Sequence, residues 1–181
     1  MSGGEIAIET TAAIAAANEN YSAMMPDRVG ESPRASWLLY RGGGRLHAIA
    51  IEHVIETMRI LPIAAVAGAP RYISGLCVIR GSPVPVVDIG LLVGGQAVRA
   101  ERLVTIRTGS RMVALAVEAV LGIRDVGFDA LRQLPPLLGD VPGQAIDAIG
   151  ILDAELLFIL GATRIVPEDV LDRLDIHDAS S

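Results

Sequence analysis

One permanently charged side chain interrupts the most apolar stretch of this chain. Residues 75–90 read GLCVIRGSPVPVVDIG, with Arg80 between two runs of β-branched and aliphatic residues. An unpaired guanidinium is prohibitively costly to bury, so Arg80 must reach the surface or hold a carboxylate. Gly81 lets the chain turn beside it. Pro83 and Pro85 cannot donate to a ladder, which puts their strand at a sheet edge or near one. An arginine on a turn beside an apolar strand is either a solvated turn residue or a docking hot spot.

Other residues with reactive groups lack the spacing that chemistry needs. His47, His53 and His177 do not form a metal-ligand pattern, and the lone Cys77 sits in an apolar run where it packs as a small hydrophobe. The RGGGR of residues 41–45 has no phosphate-loop spacing and no Lys-Ser/Thr behind it. Ser82 is not in a G-x-S-x-G elbow. Asp88 ends a strand as a phosphoacceptor or ribose-binding Asp would, but no acid cluster accompanies it, and it reads better as the cap of a helical turn at Ile89. Glu52 and Glu118 could be an acid/base pair, but they recur at matching places in a repeat and read as caps of the turns that follow their strands. No catalytic, cofactor-binding or metal-ligating residue is therefore assigned.

The totals agree with that reading. The 181 residues suffice for one domain with a real core, and 51% hydrophobic with 20% charged is a globular composition. Aromatics make up only 3%, so the core must be aliphatic. A net charge of −6 and the lack of a basic cluster argue against a nucleic-acid binder. A single cysteine fits a cytosolic protein, and no uninterrupted apolar run is long enough to span a membrane. The N-terminus carries Glu5 and Glu9 and does not read as a signal peptide.

Residues 1–33 are Ala-rich and acidic and read as a mobile tail, with a frayed helix over 9–20. From Trp37 onward the pattern predicts hairpins. SWLLYR and RLHAIAI flank GGG, GLCVI and VPVVDI flank RGSP, RLVTIR and RMVALAV flank TGS, and AIGIL and ELLFIL flank DA. Helices are expected at DIGLLVG, at GFDALRQL, and in VPEDVLDRLDI, where Pro167 suits the first helical position. Sliding the chain by 66 residues lays 37–60 over 103–126 with seven of 24 positions identical. A slide of 72 lays 79–87 over 151–159. The pattern thus occurs twice, and two copies this small need a shared core. Two small β-barrels about a pseudo-twofold axis supply one, with a groove at their seam.

The stretch GAPRYISGLCVIRGSPVPVVDI resembles the signature of CheW-like domains, through Pro70, Gly75, Arg80, Gly81, Pro85, Val86, Asp88 and Ile89. RLHAIAIEHVIET, RMVALAVEAVLGI and AIGILDAELLFIL are similar to other parts of the family pattern, so the resemblance covers about residues 36–165. The chain departs from many members at Val78, where they carry Asn. The resemblance implies an all-β fold of two intertwined five-stranded SH3-like barrels related by a pseudo-twofold, with short helices and a C-terminal helix. It implies a domain over 34–166 (repeats about 36–92 and 102–165), followed by a helix and tail over 167–181.

It also implies a function without catalysis: an adaptor, flagellar or pilus-linked, bridging a chemoreceptor's cytoplasmic tip to the regulatory domain of a chemotaxis histidine kinase. Such a protein is cytoplasmic, is recruited to membrane-associated receptor arrays, and uses neither nucleic acid nor membrane insertion. Carried onto this chain, the partner-binding residues are Val54, Glu56, Arg80, Gly81, Pro83, Val84, Leu103 and Val104. Glu56 is expected to pair with Arg80, Val54 to touch the kinase, and Leu103 and Val104 to lie on the receptor side. The competing reading is an enzyme or small-ligand binder using the inter-barrel groove, with Asp88 and Glu118 as its polar groups. A third is a docking module for another partner, such as a phosphatase or receptor methyltransferase.

Overall fold

The computed structural model describes residues 34–127, 131–133 and 145–178. The expected tail over 1–33 lies outside them. Eleven strands follow in order: β1 (Arg34–Gly42), β2 (Arg45–Ala50), β3 (Val54–Arg59), β4 (Ile73–Ile79), β5 (Ser82–Asp88), β6 (Arg102–Thr108), β7 (Arg111–Val117), β8 (Ala119–Gly127), β9 (Leu131–Gln133), β10 (Ile146–Leu152) and β11 (Glu155–Leu160). Two helices join them, α1 (Ile89–Leu92) and α2 (Glu168–Asp178). One sheet has the order β8-β1-β2-β11-β10-β9 and the other β3-β6-β7-β5-β4. These are the two intertwined five-stranded SH3-like units expected from the sequence, with three-residue β9 added to one of them.

The intertwining has a simple cause. Hairpin β1–β2 leads into a 3-10 turn at Ile51–His53, after which β3 leaves for the other sheet and pairs with β6. Hairpin β6–β7 likewise sends β8 across to β1. Each hairpin therefore borrows its third strand from the other copy. The later hairpins then dock in parallel, β5 on β7 and β11 on β2.

This arrangement explains why the strands read as nearly unbroken apolar runs. Along β1, Trp37 and Leu39 enter a small core within their own barrel, while Leu38 and Tyr40 enter a core shared by both sheets. On β7, Ala114 and Ala116 point into the other small core, and Val113, Leu115 and Val117 into the shared one. Central strands buried on both faces lose polar alternation. The small barrel interiors also account for the repeated alanines: Ala48 and Ala114 are both fully buried in them. Helices α1 and α2 cap the shared core with Ile89, Leu92, Val170, Leu171 and Leu174.

Several local expectations change. The hairpins β4–β5 and β10–β11 superpose at a shift of 73 residues, not 72, because the turn Arg80-Gly81 corresponds to Asp153-Ala154. With both strand faces apolar, a one-residue slip still matches apolar to apolar, although it exchanges the faces. Of GFDALRQL, Leu131–Gln133 is strand rather than helix. Pro167 stands one place before the helix, its carbonyl accepting from the amides of Val170 and Leu171. Glu52 lies inside the 3-10 turn and caps nothing; its carboxylate sits 3.5 Å from His53 Nε2.

Candidate docking site

Arg80 occupies the first central position of a two-residue turn between β4 and β5, with φ 53°, and Gly81 follows at φ 82°. Positive φ at both central residues is the hairpin turn whose twist matches the flanking strands. The left-handed backbone costs Arg80 some strain, and it aims the side chain outward, 78% exposed.

The guanidinium reaches Glu56. Nε donates to Oε1 at 3.0 Å and Nη2 to Oε2 at 2.8 Å, a bidentate fork. These hydrogen bonds hold the Glu56 carboxyl below the usual carboxylate range, against a smaller opposing effect of desolvation. Glu56 is on β3 and Arg80 follows β4, the first and last strands of one sheet. The pairing was expected from the sequence; its place, tying the two sheet edges together, was not. Exposed ion pairs contribute little to stability, so its consequence is shape. In the other copy the equivalent places hold Gly122 and Asp153, so the tie is unique to the first barrel.

Around this tie lies an apolar face. Val78 is 67% exposed and faces Pro83 across the β4–β5 ladder, and Ile55 projects from β3 beside Glu56. The prolines are tolerated because β5 first pairs with β7 at Val86; at Pro83 and Pro85 only β4 is alongside. Gly75 shapes the same strand. It has φ 143° at a bulge, and a Cβ there would lie 2.1 Å from the Ala64 carbonyl oxygen. Its absence lets Ala64 and Leu76 exchange backbone hydrogen bonds of 2.8 Å, which cover the β4 edge.

Among the expected contact residues, Glu56, Arg80, Gly81 and Pro83 come together at the surface. Val54 is half-buried against the shared core, and its neighbour Ile55 takes the outward place. Val84, Leu103 and Val104 are fully buried, so they support the face from beneath and cannot touch a partner. The reason is again burial on both faces: Leu103 fills the small core and Val104 the shared one. Asp88 caps α1 as expected, Oδ1 accepting from the Leu91 amide and Oδ2 from the Val98 amide, each at 3.0 Å.

Sequence reasoning missed a second face. Ile151 and Leu156 are 63% and 55% exposed, face each other across β10–β11, and are the pseudo-twofold equivalents of Val78 and Pro83. Leu121 and Ile123 on β8 are also exposed, and Leu121 is the equivalent of Ile55. The signal was available: correcting the repeat by one residue puts Ile151 over Val78. A forked ion pair also occurs on this sheet, Arg41 to Glu155 at 2.7 Å twice, but it spans β1 and β11 across β2 rather than joining edges. Each barrel thus presents exposed aliphatic side chains on corresponding strands, a feature of protein-interaction surfaces.

A family model described as the CheW-like domain matches residues 36–170. The chemotaxis protein CheW of Klebsiella aerogenes is 20% identical over 149 residues, covering 81% of this chain and 90% of the relative. Protein FrzA of Myxococcus xanthus is 26% identical over 137 residues, covering 72% and 84%. The crystal structure of the scaffolding protein TtCheW from Thermoanaerobacter tengcongensis has the same fold, with a TM-score of 0.64 at 18% identity, over 71% of this chain and 90% of that one.

Proposed function

The chain belongs to the CheW-like domain family, and from that premise we propose that it is a non-catalytic adaptor coupling a chemoreceptor's cytoplasmic tip to a chemotaxis histidine kinase. One observation carries the reading: two exposed apolar faces, one per barrel, on two sheets that share a core. A bridge needs two faces. If each partner biases the geometry of the common core, one binding event changes the free energy of the other. The first face, comprising Ile55, Val78, Gly81 and Pro83 around the Glu56–Arg80 tie, takes the regulatory domain of the kinase. The pathway served is flagellar or pilus-linked.

The groove-enzyme reading lacks its main group, because both Asp88 oxygens are already engaged by backbone amides. Among the described residues no helix is long and apolar enough to cross a membrane.

The test separates shape from direct contact. Arg80→Glu should lose co-purification with the kinase while the circular dichroism spectrum is retained. Glu56→Arg combined with Arg80→Glu restores the tie with reversed polarity and should recover binding. Retained binding in Arg80→Glu would sink the assignment of this face.

A further inference from the structure

Some arginines of this molecule are paired with acids and others are not. Among the described residues Arg41, Arg80, Arg111, Arg164 and Arg173 each hold a carboxylate. Arg45, Arg59, Arg71, Arg99, Arg102, Arg107 and Arg124 do not, and three of these, Arg59, Arg99 and Arg102, converge on one place. Arg59, Arg99 and Arg102 line an open hollow of about 510 Å³ with Ile60, Ala100 and Glu101. Arg59 and Arg102 are direct cross-strand partners at the end of the β3–β6 ladder. Like charges directly opposite each other destabilise a sheet. Among the described residues the side chains of Arg59 and Arg99 make no hydrogen bond or ion pair, and the Arg102 side chain donates only to the Glu101 carbonyl, at 3.1 Å. Glu101 shares the hollow, yet among the described residues no carboxylate forms an ion pair with these guanidiniums.

We propose that this hollow is a docking site for an acidic segment of a partner protein, which supplies the carboxylates that the fold withholds. Guanidiniums on two adjacent strands and the preceding loop offer several forks, and forks match carboxylates. Five of the six lining residues are exposed, which suits side chains of a passing segment better than an enclosed small molecule. Exposed Ile60 provides an apolar contact within the same hollow. Phosphates also match guanidinium forks, so phosphate and nucleic acid are competing outcomes that the test distinguishes. The hollow shares no residue with either apolar face, so it goes beyond the adaptor reading and is tested independently of it.

The test titrates the intact, isotopically labelled chain with hexaglutamate, inorganic phosphate and a duplex oligonucleotide, followed by amide chemical shifts. Hexaglutamate should perturb the amides of Arg59, Ile60 and Ala100–Arg102. Arg59→Glu combined with Arg102→Glu should weaken it by at least about tenfold. Arg107→Glu, exposed on the same strand β6 but outside the hollow, should leave the affinity within about twofold. Circular dichroism checks that the variants are folded. The proposal is overturned by an absence of shifts, by an equal effect of Arg107→Glu, or by phosphate or the oligonucleotide binding the hollow as tightly as hexaglutamate.

Discussion

His47 gives the fold a predictable weakness in acid. Its ring is fully buried, stacked on Tyr40 at 5.6 Å between centroids and tilted against Phe158 at 5.7 Å. Nε2 lies 3.0 Å from the Gly42 carbonyl oxygen, which can only accept, so the neutral ring carries its proton on Nε2. Nδ1 has no partner. Protonation would bury an unsatisfied charge, and desolvation lowers the pKa from 6.5 to about 4. The unfolded chain therefore binds the proton more readily than the folded one. Stability from this residue is complete above about pH 6.5 and is lost as the pH falls towards 4. The shift corresponds to about 3 kcal/mol in total, of which about 2 kcal/mol is gone by pH 5. Urea unfolding from pH 7.5 to 4.5 should show this loss, and His47→Gln, which retains a donor for Gly42, should show it reduced by about that amount. Carboxylates titrate in both proteins and cancel in the difference. Parallel stability curves for the two, or a His47 ring titrating near its ordinary value by NMR, would refute the reasoning.

Two backbone positions give further outcomes. Gly75→Ala drives a Cβ into the Ala64 carbonyl and should cost about 2–4 kcal/mol in denaturant unfolding; a loss below about 0.5 kcal/mol would mean that the Ala64–Leu76 bridge does not constrain the chain. Ala154 is held at φ 64° in the turn matching that of Arg80, so Ala154→Gly should stabilise by about 0.5–1 kcal/mol, read as a higher urea midpoint. A lower midpoint would contradict the left-handed turn.

Much of this architecture was legible because its turns are short and its punctuation is strong. GGG, RGSP, TGS and DA each broke the apolar text where a hairpin had to reverse, and the repeat doubled every hint. Strand exchange was reached only through family resemblance. The residues of β3 and β8 specify strands but say nothing about which sheet receives them; only packing decides that. Burial on both faces also hid direction. Leu103 and Val104 were expected at the surface through family resemblance, and their polar neighbours Arg102 and Thr105 did not reveal that both faces of β6 are buried there. The Glu56–Arg80 tie was reached through family resemblance, since 24 residues separate the partners. The arginine hollow joins Arg59 to residues 99–102 by strand pairing alone. Nothing local to either segment announced it.

The central claim is that two separate faces on one scaffold bridge two partners. Its most direct measurement is reconstitution of the chain with its kinase and its receptor, comparing Val78→Asp with Leu156→Asp by quantitative co-sedimentation. Each substitution places a charge on one exposed apolar face and leaves the core intact. The account predicts that each variant folds, loses one contact and keeps the other, and that both abolish receptor control of kinase activity. Unchanged assembly and control in both variants would contradict it.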